Sequence, residues 1–184
     1  MMQDLAMQIL EILMNSIGAK AGKVILRMRD SLQDNRIEIE VEDNGSGMSE
    51  EMVRKVADPF TTTRTTRKIG MGVAFMKGLT EQCDGTFDIR STPGIGTVVS
   101  ASIRRDHIDA PPMGDLGEMI MYCIQADETI DIEFHYKTDT DEFVFLSSEI
   151  REQLDGVSLM EPEILIWIKE YINEGITHAK EGMA

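Results

Sequence analysis

An alternating strand that runs without interruption into a glycine turn constrains this chain more than any other feature. Arg36 to Glu42 reads RIEIEVE, with Ile37, Ile39 and Val41 on one face, and Asp43-Asn44-Gly45-Ser46-Gly47 follows at once. Period two makes this a strand buried on one side, which requires a sheet with a covered face. The glycines permit positive φ and close approach of a ligand to the backbone, and Asp43 at the strand end can accept a hydrogen bond from an exocyclic amine. Alone, the turn is equally a tight connection into a helix over 49–57, N-capped by Ser49.

The flanking elements fit such a sheet. Lys23 to Asp30 alternates in the same way, with Val24, Leu26 and Met28 inward, and the loop over 31–35 makes the two strands a hairpin. Before them, residues 3–19 form a helix. At 100° per residue Asp4, Gln8, Glu11, Asn15 and Gly18 fall within an arc of about 80°, and apolar residues occupy the rest. A strip so narrow suits the lining of a cleft. Glu11 and Asn15, one turn apart, would act at one place: a carboxylate to orient or deprotonate a hydroxyl, and an amide oxygen to ligate a hard cation such as magnesium.

Beyond the turn, Asp58-Pro59-Phe60 breaks regular structure, and residues 61–68 read TTTRTTRK. Followed by Gly70-Met71-Gly72 and a helix over 71–83, this segment suits a lid whose hydroxyls and cations close over phosphates. Strands over 86–91 and 96–104, joined by Thr92-Pro93-Gly94, complete an α/β two-layer sandwich with helices on one face of a mixed sheet.

Residues 109–112, Asp-Ala-Pro-Pro, mark a boundary between a unit over 1–108 and a small α+β extension over 113–184. In the extension, helices are expected over 115–125, 148–154 and 161–174 and hairpin strands over 129–136 and 142–146. It contains no catalytic constellation, and Trp167 and Tyr171 read as core or interface anchors. Charge divides at the same place: residues 1–104 carry 13 Lys/Arg against 14 Asp/Glu, and residues 105–184 carry 5 against 19. The acidic half disfavours nucleic acid and suits either a solvated surface or a docking face for a basic protein partner. No apolar run reaches membrane-span length and the start lacks a basic leader, so a cytoplasmic protein without a membrane partner is expected. Cys83 and Cys123 lack metal-ligand spacing and read as reduced and buried, and the three histidines as structural or exposed.

Taken in order, these motifs resemble those of the GHKL superfamily, the ATP-binding domain shared by gyrase, MutL-type repair proteins, ninety-kilodalton chaperones, sensor histidine kinases and anti-sigma-factor kinases. Glu11 to Ser16 is similar to its asparagine box, Asp43 to Gly47 to its first glycine box, Asp58 to Thr62 to its phenylalanine box, and Gly70 to Gly72 to its second glycine box. The resemblance implies a Bergerat-type fold that binds ATP with magnesium. Asp43 would read the adenine amine with Thr97 assisting, and Asn15 would hold the metal. Gly45, Gly47, Gly70 and Gly72 would shape the backbone around the nucleotide, and Thr62, Thr63, Arg64 and Lys68 would be lid contacts. Glu11 is similar to the glutamate of the hydrolysing and serine-kinase branches. Gly18 departs from the pattern, standing where many histidine kinases carry lysine, so Lys20, Arg64, Arg67 or Lys68 would supply that phosphate contact. Ten residues before Glu11 are too few for the dimerisation and phosphoacceptor helices of a sensor kinase. Three readings follow: a magnesium-dependent ATPase or protein kinase, a nucleotide-gated docking module with little turnover, and a shell that no longer binds nucleotide.

Overall fold

Period-two patterning organises the sheet. In the computed structural model, which describes residues 4–56 and 71–183, β1 (Lys23–Ser31) and β2 (Arg36–Asp43) pair antiparallel. β2 pairs antiparallel with β4 (Gly96–Arg104), and β4 with β3 (Thr86–Thr92). On the other side β5 (Asp131–Lys137) runs parallel to β1, and β6 (Glu142–Leu146) antiparallel to β5. The result is one mixed sheet of six strands in the order β3-β4-β2-β1-β5-β6.

One face of this sheet carries Leu26, Met28, Ile39, Val41, Ile103, Phe134 and Tyr136, all buried. Helices α1 (Leu5–Gly18), α3 (Gly72–Gln82), α4 (Leu116–Ala126) and α6 (Pro162–Lys180) add Leu5, Ile9, Met76, Ile120, Ile168 and Ile172 to the same apolar cluster. The opposite face is a ladder of charge: Arg27 binds Glu40 and Glu42, each at 2.8 Å, and Lys23 binds Glu133 at 2.8 Å. Half-exposed pairs of this kind add little stability, but they keep that face wet. Two short helices, α2 (Glu50–Val56) and α5 (Ser147–Gln153), complete the set with a terminal 3-10 turn.

The expected boundary over 109–112 is a stretch without regular structure, and the acidic extension beyond it adds two strands and three helices to the same sheet and core. Three ties bind the halves. The β1–β5 ladder is one. Asp139, in the β5–β6 turn, accepts from Ser31 Oγ (2.6 Å) and from the backbone N–H groups of Leu32 (2.7 Å) and Gln33 (3.1 Å), so it closes the β1–β2 turn. Asp30, buried in β1, accepts from Tyr136 Oη (2.9 Å) and Arg105 Nε (2.6 Å). Burial, followed by the neighbouring Asp30 charge, raises the Tyr136 hydroxyl well above the ordinary tyrosine value.

Both cysteines are buried and free, and burial pushes the Cys123 thiol up to about 12. One expectation for the last helix changes and one narrows. It continues to Lys180 rather than ending near Glu174, because Ile176 and Ala179 extend its buried stripe, and Gly175 leaves room for the Phe143 ring, where a Cβ would lie 2.2 Å from ring carbons. Of the two readings of Trp167 and Tyr171, core or interface, exposure leaves the interface one, because α6 turns Leu165, Ile168, Ile172 and Ile176 inward and leaves these rings on the outer arc.

Candidate functional site

The narrow polar strip of α1 is realised in part. Asp4 caps the helix, accepting from Met7 N–H at 2.9 Å, and Glu11 and Gly18 are exposed, whereas Gln8 is buried and Met7 takes an exposed position. The helix therefore presents Glu11 and Asn15 on its accessible side, one turn apart.

A cavity of about 360 Å³ opens between α1, the end of β2, the turn after it and the ends of β3 and β4. Asn15, Asp43, Gly47 and Thr97 line it together, with Ile12, Val41, Val73, Ile89 and Val99 as apolar wall and Lys20 at its edge. An apolar chamber of this size with a few convergent polar groups suits a flat heteroaromatic base. A wider cleft of about 700 Å³ adjoins it, sharing Asp43, Ile89 and Thr97 and carrying Lys23, Arg54 and Arg90. The smaller cavity is the candidate site, because among the described residues it joins the α1 residues to the glycine turn.

Asp43 is fixed from two sides. Ser16 Oγ donates to its Oδ2 at 2.7 Å and the Gly45 N–H to its Oδ1 at 2.8 Å. Asp43 also pairs across the ladder with Thr97. The Thr97 hydroxyl lies 2.9 Å from Ser91 Oγ, which accepts from the Met48 N–H at 2.8 Å and sits 3.0 Å from the Gly96 carbonyl. Two hydrogen-bonded groups, one around Asp43 and one around Ser91, joined by the Asp43–Thr97 ladder pair, thus hold the carboxylate, the threonine and the turn in register.

Glycine is required at two points of this frame. Gly47 has φ of +65°, and a Cβ there would stand 2.0 Å from the Thr92 carbonyl oxygen. Gly96 brings its own backbone against Asp43, where a Cβ would meet the Asp43 carbonyl oxygen at 1.9 Å. Gly45 is also tight, with Ala19 Cβ 2.9 Å from a Cβ placed there.

Glu11 and Gly72 do not line the cavity. They meet each other at the first turn of α3, where a Cβ on Gly72 would lie 2.6 Å from Glu11 Cβ. Glu11 therefore stands beside the N-terminal end of α3, whose leading N–H groups favour an anion. Thr62, Thr63, Arg64, Lys68 and Gly70, with the lid expected from them, lie outside the described residues. Among the described residues no group of three or more His, Cys, Asp or Glu is arranged to hold a metal. The Asn15 amide oxygen is a hard donor of the kind magnesium takes with substrate phosphates and water, so the residue present fits that ion.

Sequence reasoning passed over three residues of the frame: Ser16, Ser91 and Gly96. Each had a signal. Ser16 is a hydroxyl on the otherwise apolar side of α1. Ser91 and Thr97 are polar residues at sheet positions where alternation calls for apolar ones.

The profile of the family described as "Histidine kinase-, DNA gyrase B-, and HSP90-like ATPase" matches residues 3–107. Among curated proteins, the chain is 35% identical over 111 residues to the non-motile and phage-resistance protein of Caulobacter vibrioides, a match covering 55% of this chain and 13% of that protein. It is 31% identical over 97 residues to the sensor histidine kinase YxdK of Bacillus subtilis, covering 50% of this chain and 30% of that kinase. The matches thus span less than a third of either relative's length. Among solved structures, the Aquifex aeolicus MutL ATPase domain complexed with ADP superposes with a TM-score of 0.50 at 17% identity, over 84% of this chain and 68% of that one. This last likeness bears on the fold alone.

Proposed function

This chain belongs to the histidine kinase-, DNA gyrase B- and HSP90-like ATPase family, and on that premise we propose that it binds ATP with magnesium and cleaves the terminal phosphoryl group. The observation that carries the reading is the doubly held Asp43 carboxylate at the wall of an apolar chamber that also contains Asn15 and Thr97. Adenine enters the chamber, its exocyclic amine donates to Asp43, and Thr97 supports the same edge. The ADP in the MutL structure is in keeping with a nucleotide in this fold.

From the base, the phosphates run toward Asn15, Glu11 and the first turn of α3. Asn15 would hold the magnesium, which when bound neutralises charge on the phosphate oxygens. Lys20, at the cavity edge, and the lid residues Thr62, Thr63, Arg64 and Lys68 supply further donors, while Gly70 and Gly72 let the backbone come close. Glu11 orients the attacking hydroxyl, from water or from a side chain of a partner protein, and accepts its proton. An oxygen–phosphorus bond forms at the γ-phosphorus, the bond to the β-γ bridging oxygen breaks, and ADP leaves. We place this activity in the cytoplasm. Among the described residues no helix is long and apolar enough to cross a membrane.

Labelled γ-phosphate tests the reading. Wild type should release or transfer label with magnesium present, and Glu11→Gln should slow this by roughly 10²- to 10⁴-fold, the range of a lost general base, while still binding ATP. Equal rates in the two proteins would remove Glu11 from the chemistry. A second reading, nucleotide-gated docking with little turnover, is favoured by one observation: α4 of the acidic extension packs directly on α1, the helix that carries Glu11 and Asn15. Tight ATP binding without release or transfer would select it.

A further inference from the structure

The outer arc of α6 carries an aromatic stack that the nucleotide site does not use. Trp167 and Tyr171, one turn apart, lie face to face with ring centroids 5.1 Å apart and planes 11° from parallel, and Phe143 of β6 meets Tyr171 edge-on at 5.5 Å. Trp167 is 46% exposed and Tyr171 39%, and Ile166 beside them is 55% exposed. Side chains of this size left on the surface of a helix that has ample inward apolar residues mark an interaction site rather than surplus core.

Charge says what kind of partner fits. Glu163, Glu170 and Glu174 share the outer arc with the two rings, all of them exposed. The nearby cations are committed elsewhere. Lys169 binds Asp115 at 3.1 Å and Glu118 at 3.2 Å, His178 approaches Glu181 at 3.2 Å, and Lys180 lies over the Tyr136 ring at 5.3 Å from its centroid. Among the described residues no cation answers the three carboxylates. A second copy seated on this face would set like charges against each other, and phosphate-rich surfaces, whether lipid or nucleic acid, would be repelled.

We propose that the outer face of α6, with Phe143 at its side, docks a basic amphipathic segment of a partner protein. Its apolar residues cover Trp167, Tyr171 and Ile166, and its Lys or Arg side chains pair with Glu163, Glu170 and Glu174 and stack on the rings. This inference specifies the partner surface and stands independently of ATP turnover.

Trp167 is the only tryptophan in the chain, so its fluorescence reports on this face alone. The probes are a labelled Lys/Arg/Leu amphipathic helical peptide and its counterpart with every cation replaced by Glu. The basic peptide should shift Trp167 emission saturably and the acidic one should not. Measured by anisotropy of the labelled peptide, Tyr171→Ala and the double variant Glu170→Lys, Glu174→Lys should each weaken binding by about tenfold or more, with unchanged circular dichroism and unchanged ATP affinity. Equal binding of both peptides, binding insensitive to these substitutions, or no binding would overturn the proposal. So would a concentration-dependent dimer that Tyr171→Ala dissociates, which would make the occupant a second copy. Because peptide binding is read without nucleotide, failure of wild type to bind ATP would refute the nucleotide reading and leave this one standing.

Discussion

Replacing Asp43 by Asn tests the nucleotide chamber at its most determined atom pair. The Gly45 N–H can only donate, so, now 2.8 Å from Oδ1, it fixes the amide oxygen of the variant at that position. The amide nitrogen must then occupy the Oδ2 position, 2.7 Å from Ser16 Oγ, and the serine hydroxyl can turn to accept from it. Both local hydrogen bonds survive, so the stability change should stay within about 1 kcal/mol. The ligand meets a different group. A carboxylate that accepted from the adenine amine becomes an amide whose nitrogen can only donate. Losing a hydrogen bond to a charged acceptor is worth about 1.5–3 kcal/mol, or roughly a 10- to 150-fold rise in Kd for ATP. Calorimetry with ATP and inosine triphosphate, which lacks the amine, gives the cleanest readout: wild type should prefer ATP, and the variant should lose most of that preference. Unchanged ATP affinity in a folded variant would refute the assignment of Asp43 to the base.

Two further outcomes concern the fold. Phe134→Ala opens a cavity at a fully buried position of β5 and should cost about 3–5 kcal/mol; because β5 continues the sheet of the nucleotide half, unfolding followed by Trp167 fluorescence and by far-ultraviolet dichroism should remain one coincident transition, and two separate transitions would show that the halves fold independently. Asp139 is held below the ordinary aspartate value of 3.8, first by the Ser31 hydroxyl and then by the Gln33 N–H. Its folded value being depressed, its contribution is complete above the unfolded value and is lost as pH falls through the folded one. Acid unfolding of wild type should therefore be steeper below about pH 4 than that of Asp139→Asn, and superimposable curves would contradict this.

Local rules reach most of the nucleotide half. The strands, their inward residues and the Ser49-capped helix follow from period and glycine placement, whereas the grouping of Asn15, Asp43, Gly47 and Thr97 is implied by the family resemblance. What escaped depends on contacts distant in sequence. Nothing in the alternation of β1 distinguishes a strand with one neighbour from a strand with two, so its parallel pairing with β5, about a hundred residues away, is invisible in either segment. Gly175 carries the composition of a helix stop but lies in the helix interior, where its missing side chain leaves room for the Phe143 ring. Ser16 and Ser91 break their local patterns, but their partners, Asp43 for one and Thr97 for the other, are set only by tertiary packing and strand register.

The same long-range contacts decide how the acidic extension can be studied. Helix α1 carries Glu11 and Asn15, and its first free donors do not end in water: Leu5 N–H donates to the Pro112 carbonyl and Ala6 N–H to the Met113 carbonyl, both at 2.9 Å. Farther along, α4 buries the apolar side of α1, and Asp139 closes the β1–β2 turn. A chain cut near Asp109 would lose all of these at once. The cut opens these N–H groups to water and uncovers the apolar side of α1, at about 25 cal/mol per Å², a heavy loss against the roughly 5–15 kcal/mol stability of an ordinary domain. Loss of ATP binding or of a partner after such a cut would report on the position of α1, not on docking. Substitutions on the outer arc of α6 avoid this, because Trp167, Glu170, Tyr171 and Glu174 point away from the helix that holds the site. Only there can the roles of the two halves be separated without unfolding either.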